Sequence, residues 1–422
     1  MAEPASEAVA EPTHLPALDG VRGIAILLIV LFHAETMWLA VFWRFPSLWI
    51  DGAVMRMANS GWIGVDLFFV LSGFLITRIL INAREGAGYF RSFYARRFLR
   101  IFPLYYGALF FLIVILPSLP GFRGNQDLAL LRHHQAEYWS YAFNVTFSLH
   151  PFAERGDYMS FHFWSLAVEE QFYLVWPLVV LVLGRRRLGA FCLLCIAAAP
   201  LIRYMLLHGL VPETHGPFAA YLLMPARMDT LALGGLIAVL ALNPDMLRRA
   251  SRWALPVGAA SAAIVAVFYF QEGGLWAYNR GVQVFGYSAV ALTFAAIVAM
   301  IVGGPAGFLQ AAFGHRVLRF FGKYSYGLYV VHPQIMHWTM QLARDHDAIR
   351  TVGGSYLPFL FGFTMVTGGL SVAVAWLSWH LYEKQFLKLK RFVPYGRPRR
   401  ATVAPAPAAI ALPAEREPAQ PA

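Results

Sequence analysis

Residues 19–35 read DGVRGIAILLIVLFHAE. Between Arg22 and His33 every residue is apolar or glycine. Together with the residues that follow, the run predicts a helix over about 21–40, long enough to cross a hydrocarbon core of roughly 30 Å, which needs about 20 helical residues. An imidazole deep inside such a run is costly, so His33 is a functional candidate from the outset. Arg22 and His33 are 11 residues apart. At 100° per residue they share one face of the helix, about 16 Å apart along its axis.

The rest of the chain follows the same pattern. Of its 422 residues, 59% are hydrophobic and only 14% are charged. A soluble domain carries about 25% charged residues, which excludes an ordinary soluble enzyme, a disordered chain or a collagen-like one. Ten apolar segments predict helices near 21–40, 62–82, 101–117, 165–184, 188–207, 229–242, 254–271, 281–303, 324–342 and 356–381, the sixth being short. Residues 138–149 are too short to span alone. An all-α polytopic bundle follows, because lipid tolerates no unsatisfied backbone and no barrel-like alternation is present. Ten spans place both termini on one side. Most of the 34 Lys and Arg then fall on the side of the termini, which marks it as cytoplasmic. Much of the net charge of +11 is therefore topology signal, and nucleic acid is not an expected partner. The expected division is a disordered leader over 1–14, a membrane domain over 15–383 and a basic, then Pro/Ala-rich, disordered cytoplasmic tail over 384–422. Cys192 and Cys195 lie in an apolar run and read as buried small residues.

The remaining ionisable groups at membrane depth form a short list. Asp66, in GVDLFFVLSGFLIT, is placed either to fix the tautomer of His33 or to pair with an arginine. In FWSLAVEEQFYLVWP, Ser165 reads as an N-cap. Glu169, Tyr173 and Trp176 share a face, and with Glu170 they suggest the wall of a pocket. Arg227 and Asp229, in RMDTLALGG, fall level with those acids, and Arg227 is suited to neutralise them. Ser325, Tyr329 and His332 share a face of the ninth helix, and Pro333 follows. On the cytoplasmic side Arg96, Arg97 and Arg100 in ARRFLR stand just before the third helix, and arginine clusters bind phosphate bidentately. The arrangement suits an anionic cytoplasmic donor feeding a polar acceptor on the other side, with His33 as general base. The loop 118–164 carries His133, His134, His150, Glu154, Asp157 and His162, but in no known ligand spacing, so no metal site is expected. Trp62, Trp164, Tyr173 and Trp176 suggest an aromatic-rich mouth.

Six pieces, LDGVRGIAILLIVLFH, GVDLFFVLSGFLIT, RRFLRIFPLYY, FWSLAVEEQFYLVWP, RMDTLALGG and YSYGLYVVH, spread from residue 18 to 332. Together they resemble the acyltransferase-3 family of integral-membrane acyltransferases. The resemblance implies transfer of an acyl group, usually acetyl, from cytoplasmic acyl-CoA to a hydroxyl at the bacterial inner membrane. The acceptors it implies are sugars of surface polysaccharide, lipopolysaccharide or peptidoglycan, or macrolides in some members. The family's Arg/Lys-x10-His motif lands on Arg22 and His33, its paired acids on Glu169 and Glu170, and its phosphate-binding arginines on Arg96 and Arg97. Longer members often carry a C-terminal SGNH hydrolase-like domain. Its absence from this sequence leads to the expectation of direct transfer within the bundle, or of a separate acyl-relay protein. From another class, a transporter or flippase would use the same polar track, but no halves with matching interrupted helices are visible.

Overall fold

The computed structural model describes residues 15–42, 48–149, 160–304 and 307–395. Among them there are helices and turns but no strand, so the chain is an all-α bundle. Each of the ten expected segments falls in a helix. The helices are α1 (Pro16–Phe42), α2 (Trp49–Asn59), α3 (Ile63–Ala83), α4 (Tyr89–Phe110), three short helices α5 (Gln126–His133), α6 (Gln135–Trp139) and α7 (Phe143–Leu149), then α8 (Phe163–Val182) and α9 (Arg185–Met205). After these come α10 (Gly216–Leu222), α11 (Met228–Leu240), α12 (Pro244–Gln271), α13 (Tyr287–Gly303), α14 (Phe308–Phe313), α15 (Arg316–Asp345), α16 (Leu357–Ser378) and α17 (Lys384–Lys388). The expected leader over 1–14, the part of the expected 384–422 tail beyond 395, and His150, Glu154 and Asp157 lie outside the described residues, whereas the first part of that tail is not disordered: it continues as α17 and packs against α4.

The ten expected helices are present, but several differ in extent. Among the described residues eight helices are long and apolar enough to cross a membrane, or nine if Gly216–Leu222 and Met224–Leu240 are one span bent by 65°. The expected sixth span is thus only the second half of a broken helix, interrupted at Leu223–Pro225, where proline cannot donate to the helical ladder. The ninth, α15, has 30 residues and is long enough to cross, but its polar positions keep it out of that count. The third begins at Tyr89 rather than near 101, so Arg96, Arg97 and Arg100 lie inside α4 and not before it. Likewise α8 begins at Phe163, which puts Ser165 within the helix rather than at its cap. The protein is a multi-pass membrane protein.

The centre of the bundle is α1, α3, α11 and α15. Helix α1 packs against α15 and α3, and α3 packs in turn against α11 and α8. The α3–α11 crossing depends on two glycines. A Cβ on Gly73 would overlap the Leu231 carbonyl, and one on Gly234 would overlap the Val70 carbonyl. Small residues let the backbones approach closely, which is how helices gain packing energy where lipid removes the hydrophobic drive. Helices α12 and α16 sit outside, with most of their apolar side chains exposed, as a lipid-facing helix requires. Outside the spans, α5 is tied to α15 through Asp127, which accepts from His337 Nε2 (2.9 Å) and Gln341 Nε2 (3.2 Å).

Candidate active site

The sequence-selected residues collect in three places. The first is a cavity of about 530 Å³ enclosed by α1, α3, α4, α8 and α15. Arg22, Arg96, Arg97, Arg100, Glu169, Glu170, Tyr173, Ser325 and Tyr329 all line it. Arginines and acids expected toward opposite sides of the membrane therefore share one chamber. Asp19, Ser72, Arg78, Ser165 and Tyr326 line it too.

The acid wall is tied together by hydroxyls. Glu169 and Tyr173 are one turn apart on α8, and the Tyr173 hydroxyl donates to Glu169 Oε2 at 2.9 Å. The same phenol oxygen lies 2.6 Å from Ser72 Oγ on α3, joining the two helices. Among the described residues Glu170 keeps one buried carboxylate oxygen without a hydrogen-bond partner. The Arg97 guanidinium sits over the Tyr173 ring, 5.4 Å from its centroid. That contact positions the charge beside the acids without pairing with either of them.

The arginine end is closed by the chain after α17. Arg96 Nη1 donates to the carbonyls of Lys390 (3.3 Å) and Val393 (3.2 Å), and its guanidinium lies 4.9 Å from the Tyr395 ring centroid. Tyr395 lines the cavity, and burial pushes its phenol up against the pull of Arg97 and Arg96. Five arginines against Asp19, Glu169 and Glu170 leave the chamber with a positive excess suited to an anion.

The second place is a histidine cluster beyond the far wall. His33 of α1 and His332 of α15 are hydrogen-bonded, Nδ1 to Nε2, at 3.1 Å. His162, which precedes α8, packs edge-on against both, with ring centroids 6.1 Å and 6.0 Å away. Among the described residues neither ring nitrogen of His162 has a hydrogen-bond partner of good geometry. Tyr329 and Ser165 stand between cluster and cavity: the Tyr329 hydroxyl bonds Ser165 Oγ and donates to the His162 carbonyl at 2.7 Å. His33 and His332 are not among the residues lining the chamber. Sequence reading left His162 among the loop histidines, because nothing local distinguishes it from His133 or His134. Only its place one residue before α8 brings it inward.

The third place is a buried ionic network. Arg227 Nη2 meets Asp66 Oδ1 at 2.6 Å, and Arg203 Nη2 meets Asp229 Oδ2 at 2.9 Å. Ser288 donates to Asp229 at 2.6 Å, and the Arg227 guanidinium sits 4.3 Å from the Tyr287 centroid. Asp66 is thus held by an arginine, one of its two expected roles, and does not touch His33. Arg227 pairs with Asp66 and not with the two glutamates. Asp229 pairs with Arg203, which sequence reading passed over although an arginine in the apolar run of α9 was itself a signal. The expected aromatic mouth is not formed. Trp62, Trp164 and Trp176 are core residues, Trp176 donating to Thr77 Oγ1, and only Tyr173 faces the cavity. Cys192 is buried, and Cys195 is half-buried. Among the described residues no cluster could hold a metal.

These elements coincide with a known domain. The family described as an acyltransferase domain, acyltransferase-3, matches residues 15–380, the full extent of the helices that build the three clusters. The chain belongs to the acyltransferase-3 family. Among curated proteins, O-acetyltransferase OatA of Staphylococcus aureus (strain NCTC 8325 / PS 47) is 27% identical over 353 residues, covering 78% of this chain and 52% of that protein. OatA of strain MRSA252 matches to the same extent. This member of the acyltransferase-3 family therefore spans about half the length of the curated relatives it matches. No solved structure matches it.

Proposed function

We propose that this acyltransferase-3 protein is an inner-membrane O-acyltransferase that moves an acyl group, acetyl in the simplest case, from acyl-CoA to a carbohydrate hydroxyl. The observation that carries this reading is the single chamber in which Arg22, Arg96, Arg97 and Arg100 share walls with Glu169, Glu170 and Tyr173. In this reading the arginine end faces the cytoplasm. There the coenzyme's phosphates meet the guanidiniums, and the pantetheine arm runs along the chamber toward Tyr329. His33 removes the proton from the acceptor hydroxyl as its oxygen attacks the thioester carbonyl. The C–S bond breaks, the ester forms, and the departing thiolate takes the proton back from His33. Glu169, Glu170 and Tyr173 orient the sugar by hydrogen bonds, which converts a bimolecular encounter into a positioned one. Asp66, Arg227 and Asp229 hold the broken helix in place rather than touch substrate. Membrane lipid surrounds the bundle, and a separate acyl-relay protein is an alternative recipient of the acyl group.

The test is acyl transfer from labelled acetyl-CoA by the purified protein in liposomes, with sugar hydroxyls as acceptors. Labelled ester, or slow thioester hydrolysis without acceptor, is the expected result. Neither product, together with movement of a lipid-linked or anionic sugar across the liposome, would make the protein a transporter.

A further inference from the structure

The hydrogen bonds around the two paired histidines assign their protons. His332 Nδ1 lies 2.7 Å from the Leu328 carbonyl, which can only accept, so Nδ1 carries the hydrogen. A neutral His332 therefore presents a bare Nε2 to His33 Nδ1, 3.1 Å away. His33 Nδ1 also lies 3.0 Å from the Ile29 carbonyl, another pure acceptor. Both neighbours of His33 Nδ1 accept, so its hydrogen is there and its lone pair is on Nε2. The opposite tautomer would set a nitrogen lone pair against a carbonyl and an imine nitrogen at once.

We propose that His332 is a positioning residue that, together with the Ile29 carbonyl, holds His33 in the Nδ1–H tautomer, leaving Nε2 as the base. The proposal rests on the acyl-transfer reading above. His332 takes the place that a carboxylate fills in many catalytic triads. Asp66 cannot fill it, because Arg227 and Thr230 hold that carboxylate elsewhere. When Nε2 takes the acceptor's proton, His33 becomes an imidazolium. Its Nδ1–H bond to His332 then becomes charge-assisted, roughly twice as strong as a neutral one. The stabilisation appears only as charge develops, so it acts on the transition state more than on bound substrate. His332 is completely buried and its own Nδ1 is pinned within α15, so its ring cannot turn to offer the other nitrogen without breaking that bond.

The experiment compares His332→Gln, His332→Ala, His33→Ala and the double variant His33→Ala/His332→Ala, with thermal unfolding in detergent as the fold control. His332→Ala should lower kcat by about a hundredfold, with KM for acetyl-CoA within about twofold. His332→Gln should recover much of that loss, since a carboxamide oxygen can accept from Nδ1–H. The double variant should be no slower than His33→Ala, because His332 acts only through His33. Nitrogen-15 spectra of histidine-labelled protein give an independent reading: His33 should show Nδ1–H in the wild type, and in His332→Ala that preference should weaken without vanishing, because the Ile29 carbonyl still accepts from Nδ1. Folded Gln and Ala variants of equal, unrescued activity, an additive double variant, or Nε2–H in the wild-type spectrum would each overturn the proposal. A wild type with the Nδ1–H signature but no acyl transfer would instead refute the acyl-transfer reading.

Discussion

Substituting Asp66→Asn separates a scaffold role for the Asp66–Arg227 pair from a catalytic one. Both side chains are essentially inaccessible and meet at 2.6 Å. At that separation and an effective dielectric of about 20, the mutual attraction is roughly 6 kcal/mol, much of which offsets the cost of taking both charges out of water. Asparagine keeps the shape and one acceptor but removes the charge. Arg227 is then an uncompensated cation, with Nε and Nη1 already unpartnered, and the Tyr287 ring replaces only a fraction of the lost attraction. Deleting one member of a buried pair costs about 3–5 kcal/mol. The measurement is thermal unfolding of the detergent-solubilised protein, followed by tryptophan fluorescence, for Asp66→Asn, Arg227→Met and the double variant. Each single variant should unfold well below the wild type. The double variant should regain most of the loss, since it leaves no buried charge unpaired, and should keep most of its acyl-transfer rate. A normally stable but inactive Asp66→Asn would refute the scaffold assignment and place Asp66 in the chemistry. Additive losses in the double variant would refute the pairing itself.

Three further outcomes follow from the same geometry. Arg97→Ala should raise KM for acetyl-CoA roughly ten- to a hundredfold, the loss of a charge-assisted bond of about 1.5–3 kcal/mol, and Arg97→Lys should restore little because a planar guanidinium stacks on Tyr173 as an ammonium does not; steady-state kinetics against donor concentration check both. Gly73→Val should prevent α3 and α11 from closing and reduce the yield of folded protein, whereas the same change at Gly362, which has open space around it, should not; size-exclusion profiles of the two variants decide it. The His337 hydrogen bond holds the Asp127 carboxyl below its ordinary range, so its contribution is fully present above about pH 4 and is lost as pH falls through the lowered value; the unfolding temperature of the wild type should therefore drop more steeply than that of Asp127→Asn as pH is lowered below about 4.

What was legible in the sequence depended on whether it was local to one helix. The apolar runs were readable because hydrocarbon thickness sets a length that few other structures share. Arg22 and His33 were readable as one face of α1 because helical phase is local, and Glu169 with Tyr173 for the same reason. Partners were not readable. Phase places Asp66 on a face of α3 but does not choose between His33 on α1 and Arg227 beyond the break in α10–α11. The break itself was hidden, because Leu223–Pro225 looked like the approach to a short span. The arginines of α4 were recognised by type but placed outside the helix, because their charge masked its start at Tyr89. His162 and Arg203 were missed because their importance comes only from what packs against them.

The division between chamber and histidine cluster bears on how such a protein avoids becoming a leak. A continuous file of ionisable groups through a membrane protein conducts protons, which is why such files mark pumps and channels. Here the polar residues are abundant but interrupted. The chamber's acids and arginines end at Tyr329 and Ser165, whose hydroxyls are bonded to each other, and Tyr329 also to the His162 carbonyl. Phe68 lies beside them, its ring 6.4 Å from that of Tyr329. On the acyl-transfer reading, a base behind such a wall would meet the thioester only when a bound acyl group reaches past it. Water in the chamber would then compete poorly for the acyl carbon, and transfer to a positioned hydroxyl would be favoured over hydrolysis. On the same reading, the base is oriented by another histidine rather than by an acid. A carboxylate in the place of His332 would add a second buried charge at membrane depth, whereas an imidazole lone pair orients His33 without one.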